Sequence, residues 1–120
     1  MAKHRKRDLS DAALAMIAER FKVLAEPMRL RILHALWDDE VTVGEIIEAV
    51  GGLQANVSKH LGVLQQAGLV SRRKEGLRVF YKIADPTVFD ICEVVCESLH
   101  DRLAAQIDHI QPAAGVRRRA

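Results

Sequence analysis

The sequence predicts a mainly α-helical domain carrying one small β-hairpin. Two observations predict it. Apolar residues recur at spacings of three and four through most of the chain, interrupted at Pro27 and at Gly51-Gly52. Only between Val70 and Ile83 does the pattern change to two-residue alternation, around a Glu75-Gly76 turn.

The first helix is expected from Ser10, with Leu14, Ile17, Phe21 and Leu24 at helical spacing, and to end near Ala25. Pro27 then opens a second helix, because proline is tolerated in a first helical turn and not in an interior. This helix is expected to bury Leu30, Ile32, Leu33 and Leu36, with His34 on the core-facing pattern and Met28 and Trp37 in core or interface. A third, short helix follows Thr42, a plausible N-cap whose capping-box partner is Glu45, and stops at Gly51-Gly52. A fourth runs through "LQANVSKHLGVLQQAG" with Leu53, Val57, Leu61 and Leu64 on one face. Its opposite face presents Ala55, Asn56, Ser58, Lys59 and Gly62, and no Ser, Thr, Asp or Asn caps its start. The hairpin comes next: Val70 to Lys74, a turn at Glu75-Gly76, then Arg78 to Ile83. A last long helix spans Pro86 to about Ile110, striped by Cys92, Cys96, Leu99, Leu103, Ile107 and Ile110, with Val88, Ile91 and Val95 alongside.

At 120 residues the chain has room for one core. We read residues 1–9 as a basic tail, 10–112 as the domain with its C-terminal helix, and 113–120 as a second basic tail. No apolar run approaches the ~18 residues of a membrane span. The basic start is not followed by the apolar stretch of a secretory signal, and two cysteines make no disulfide framework. A cytoplasmic protein with reduced thiols is expected, with no membrane partner. Gly-rich phosphate loops, Ser/His/Asp groupings and HExxH are lacking, which argues against an enzyme.

Charge is unevenly distributed. From Gln54 to Lys82 the basic residues Lys59, Arg72, Arg73, Lys74, Arg78 and Lys82 face the single acid Glu75. The first seven and the last four residues carry basic side chains and no acid, whereas Asp8 to Leu53 with Ile83 to Pro112 holds five basic and fifteen acidic residues. Such polarisation offers one basic face to a polyanion, and double-stranded DNA is the obvious one. A short-side-chain helix face followed directly by a basic hairpin, with Arg72, Arg73, Lys74 and Arg78 near its tip, reads as a winged helix-turn-helix. A winged-helix module that binds only protein is the alternative from another class. The apolar stripes on the first and last helices suggest burial against a second copy of the chain.

The segments "LAEPMRLRILHAL", "QANVSKHLGVLQQAGLV" and "KEGLRVFYKIADP" resemble the signature segments of the ArsR/SmtB family of winged-helix repressors over about residues 14–105. The resemblance implies a homodimer formed through the first and last helices, a two-fold symmetric operator, and release by an inducer. It also implies that Gln54, Asn56, Ser58, Lys59 and His60 belong to the recognition helix, and that Lys74, Arg78 and Tyr81 belong to the wing. Two inducer sites of the family do not carry over. Where one has a Cys-x-Cys pair this chain has Thr42 and Gly44, and along the zinc pattern it offers Asp85, Thr87, Ser98 and Asp101.

Cys92 and Cys96 stand four apart, so their thiols project from one face about 6 Å apart along the axis. Such a pair can share a thiophilic metal or metalloid ion, or react with an oxidant or reactive sulfur species. His100 is a weaker third ligand, rotated about 80° from Cys92. Simple packing of two small apolar side chains, in a repressor without thiol sensing, is the other reading.

Overall fold

The structure, a computed structural model, describes residues 4–110, with side chains as far as Gln106. The basic C-terminal tail, Met1 to Lys3 of the N-terminal one and the Ile107 and Ile110 side chains lie outside that description. The chain divides after Asp85 into two compact units.

The first unit holds α1 (Asp11–Leu24), α2 (Pro27–Ala35), β1 (Val41–Thr42), α3 (Val43–Val50), α4 (Gln54–Gln66), β2 (Val70–Glu75) and β3 (Arg78–Ile83). Local chemistry sets the boundaries. The Ser10 hydroxyl accepts from the Ala13 amide to start α1. Glu26 caps α2 by accepting from the Met28 amide at 2.6 Å, with Pro27 in the first turn. Thr42 and Glu45 form the expected reciprocal capping box at α3. Gly51 ends α3 in the left-handed conformation at φ 71°. At Gly52 a Cβ would come within 3.2 Å of Val57 and 3.3 Å of Met28, a tight fit that the side chains would have to yield to, so glycine suits both positions of the α3–α4 turn.

The core gathers Ile32, Leu33 and Leu36 of α2 and its C-cap, Ile46 of α3, Val57, Leu61 and Leu64 of α4, and Leu69, Val70 and Tyr81 around the sheet. Three expectations shift. Leu30, 42% exposed, and His34, also exposed, fall outside the inward arc of α2. That arc is set by Arg29, Ile32, Leu33 and Leu36, and Leu30 and His34 share the opposite flank at i, i+4. Leu53 is 80% exposed, because it is the N-cap of α4 in extended conformation and the helical phase begins only at Gln54. The hairpin also gains a third strand: the sheet order is β1-β3-β2, with Val41 opposite Tyr81 and Thr42 opposite Phe80.

The second unit contains α5 (Thr87–Ile110). Val88 is buried, Ile91 and Cys92 are half-buried, and residues 93–103 are exposed, including Val94, Val95, Leu99 and Leu103. No helix among the described residues is long and apolar enough to cross a membrane.

Candidate nucleic-acid interface

Two helices joined by the Gly51-Gly52 turn, then a two-stranded ribbon, place α4 and the hairpin next to each other in the chain. The inner stripe of α4 is Val57, His60, Leu61 and Leu64, all buried. Its outer face leaves Gln54, Asn56, Ser58 and Lys59 exposed, and a methyl added at Gly62 would meet nothing within 4 Å. No side chain caps the α4 N-terminus. Its first amides therefore point outward without an intramolecular side-chain acceptor, and the helix dipole favours an anion there.

His60, expected among the outward contacts, is only 8% exposed and faces inward. Its Nδ1 accepts from Arg29 Nε at 3.1 Å, and Arg29 also donates to the Val23 carbonyl at 3.0 Å. The Nε2 of His60 lies 3.7 Å from Glu26 Oε2. Helix α4 is thus held from behind by a polar link to α2 and to the end of α1. The spacing Val57, His60, Leu61, Leu64 carries the signal: three and four residues apart, it is one continuous helical stripe.

The wing also sorts its cations. Register pairs Arg73 with Phe80, Lys74 with Val79 and Glu75 with Arg78. Alternation then puts Arg72 and Lys74 on the face of Tyr81, and Arg73 and Arg78 on the face of Phe80. Arg73 is taken up internally. Its Nε and Nη2 grip the two Glu40 carboxylate oxygens at 3.1 and 2.8 Å, and Nη1 reaches Glu75 at 2.6 Å. Its guanidinium also lies 4.5 Å from the Phe80 ring centroid, and that of Arg78 lies 5.1 Å away. The Arg73 hydrogen bond holds the Glu40 carboxyl below its ordinary value. This pairing persists above the usual carboxylate range and is lost as pH falls through the lowered value. Arg73, though exposed, is therefore tied down by two carboxylates and anchors the wing, whereas Arg72, Lys74 and Arg78 are exposed cations without such a clamp. Gly76, at φ 62°, makes the two-residue turn that leaves Leu77 fully exposed at the tip.

On α5 both cysteines are free thiols, Cys92 half-buried and Cys96 exposed. Burial, and secondarily the neighbouring Cys96, push the Cys92 thiol up, so less of it is thiolate at neutral pH. His100 does not join them. It sits 3.8 Å from Asp101, and among the described residues no three metal-ligating side chains gather into one site. Each four-residue step turns the helix a further 40°, which carries His100 off the thiol face.

The fold and this exposed helix-and-wing surface define a DNA-binding winged-helix regulator, and comparison with known proteins gives its family. A helix-turn-helix domain family matches residues 24–73. The HTH-type transcriptional regulator Rv0081 of Mycobacterium tuberculosis is 38% identical over 104 residues, spanning 82% of this chain and 91% of that protein. Its crystal structure superposes with a TM-score of 0.75 at 36% identity, covering 82% of this chain and 99% of that one. The homodimeric winged helix-turn-helix DNA-binding domain of Mb0332 from Mycobacterium bovis is described as a possible ArsR-family regulator. It superposes with a TM-score of 0.70 at 32% identity, covering 88% and 96% of the two chains. The antimony-specific repressor AntR superposes with a TM-score of 0.73 at 30% identity, covering 83% and 92%. The chain belongs to the ArsR/SmtB family of winged helix-turn-helix transcriptional regulators. It is a DNA-binding regulator and not an enzyme.

The inward placement of His60 makes a prediction. His60→Ala strands the Arg29 Nε–H in a half-buried position, which should cost about 1–3 kcal/mol in urea unfolding. Lys59→Ala, one residue earlier on the exposed face, should stay within about 0.5 kcal/mol of the parent. Equal unfolding midpoints for the two variants would remove His60 from the scaffold.

Proposed function

We propose that the protein is a homodimeric repressor that binds a two-fold symmetric operator and is released when an inducer reaches Cys92 and Cys96. The observation that carries the DNA reading is the bare outer face of α4, with an uncapped N-terminus at one end and an exposed basic wing following it. In this reading Gln54, Asn56 and Ser58 meet base edges in the major groove. Lys59 and the amides at the helix start meet phosphate, and Arg72, Lys74 and Arg78 reach backbone or the neighbouring minor groove.

Dimerisation is supported by exposed apolar side chains on two helices, Leu14, Met16, Ile17 and Phe21 on α1 and Val94, Val95, Leu99 and Leu103 on α5. A two-fold axis through such helices would set the recognition helices about 34 Å apart, one DNA turn. The thiol reading is supported by two accessible, unbonded sulfurs on one helix face. Antimony, for which the AntR repressor is specific, is a thiophilic metalloid of the kind such a pair would chelate, releasing protons as it bound. The raised Cys92 thiol gives the pair a proton to lose.

Three measurements test this. Lys59→Ala and Arg78→Ala should each weaken operator binding without changing stability, and each lost phosphate contact should lower the slope of log affinity against log salt by about one per half-site. An unchanged slope in the double variant would sink the recognition surface. In sedimentation at micromolar concentration the parent should be a dimer, and Leu99→Glu should give monomers or aggregates without operator binding; a monomeric parent refutes the assembly. Finally, Cys92→Ser and Cys96→Ser should bind operator but fail to release it on challenge with arsenite, zinc, cadmium, persulfide or peroxide. A parent insensitive to all five, or a double variant that responds as the parent does, would leave the cysteines as packing.

A further inference from the structure

We infer that Arg20 is a positioning residue for DNA binding: its guanidinium clamps the C-terminal end of the recognition helix to the segment that leads into α5. This rests on reading α4 as the recognition helix. Arg20, near the end of α1, donates through Nη2 to the Ala67 carbonyl at 3.2 Å and through Nη1 to Asp85 Oδ2, also at 3.2 Å. Ala67 is the C-cap of α4, and Asp85 is the last residue of the first unit, two positions before α5 begins. Between them the Ala84 amide donates to the Leu69 carbonyl at 2.9 Å, tying the end of β3 to the stretch just after α4.

The chemistry suits arginine. A cation at a helix C-terminus meets the negative end of the dipole. A planar guanidinium holds two acceptors at a fixed mutual angle, which the single ammonium of lysine cannot do. The Arg20 and Asp85 side chains are 39% and 27% exposed, and an ion pair that open to water adds little to folding. Its effect is geometric. A 13-residue helix is a lever on the order of 20 Å long, so a small tilt at Ala67 displaces the base-reading N-terminal turns. Hydrogen bonds to base edges weaken steeply with such displacement. The position of α4 is thereby made to depend on the residue that delivers the chain into α5.

The experiment uses the full chain and, as probe, the duplex that the parent protein enriches from a randomised library. Affinity per active molecule is measured across a salt series for Arg20→Met, Arg20→Lys, Asp85→Asn, the Arg20→Met/Asp85→Asn double variant and Lys59→Ala, together with unfolding midpoints. Arg20→Met should bind about tenfold more weakly with an unchanged salt slope and midpoint, because no phosphate contact is lost. Arg20→Lys should fall between it and the parent. Asp85→Asn should weaken binding less than Arg20→Met, and the double variant should be no worse than Arg20→Met alone, as expected for partners in one contact. Parent-like affinity in Arg20→Met overturns the clamp, and so does a loss that tracks a lowered midpoint or a slope reduced by about one. If Lys59→Ala keeps both affinity and slope, α4 is not the recognition helix and the clamp falls with that reading.

Discussion

A helix that turns one bare face outward must bury the other, and α4 meets that constraint with a narrow inner stripe. Val57, Leu61 and Leu64 are fully buried, and His60 completes the row. Three aliphatic side chains hold the helix down but leave it able to slide or roll, because apolar burial is non-directional. The Arg29–His60 hydrogen bond adds direction: a guanidinium Nε–H aimed at a ring nitrogen fixes the rotation of α4 against α2. Arg29 is itself pinned to the Val23 carbonyl, so the alignment extends to the end of α1. Everything on the outer face, from Gln54 to Gly62, inherits its aim from that inner row.

The wing solves a different problem. A hairpin with Arg72, Arg73, Lys74 and Arg78 near its tip would repel itself if all four cations stood together. Arg73 is therefore neutralised, gripped by Glu40 from the segment before β1 and by Glu75 two residues along the same strand, with Phe80 beneath it. The two-residue strand β1 brings Glu40 to this place. Acid that reads in sequence as mere repulsion of a polyanion acts here as the fastening of the ribbon.

Much of this was legible in sequence because it is local. The capping box at Thr42 and Glu45, the proline start of α2, the uncapped start of α4 and the hairpin turn each depend on residues within four positions of one another. What escaped was long-range or too short to have a period. The strand at Val41-Thr42 has only two residues, so no alternation can reveal it. The partner of Arg73 lies 33 positions away and that of His60 lies 31 away, distances at which spacing rules carry no information. The family resemblance carries His60 over by position as a DNA contact, whereas its spacing from Val57 and Leu64 points inward, and periodicity outranks position. Leu30 and His34 depart in the opposite sense, expected inward and found exposed, because the phase of a nine-residue helix is set by only a few core positions.

Asp85 draws these threads together. It stands where the family's zinc pattern would begin, but the next positions of that pattern are Thr87 and Ser98, which offer poor ligands, and the Asp85 carboxylate is engaged by Arg20 at 3.2 Å. A guanidinium beside a carboxylate opposes a divalent cation there by charge as well as by occupancy. Side chains of the chain itself already link this junction to the C-terminal end of α4. The inducer chemistry proposed for α5 lies further along the helix. The thiols of Cys92 and Cys96 are its soft, accessible pair, on the same helix that Asp85 introduces. Under the sensing proposed for that pair, the Arg20 bridge from Asp85 to the Ala67 carbonyl is the contact through which a change at the residue preceding α5 would reach α4.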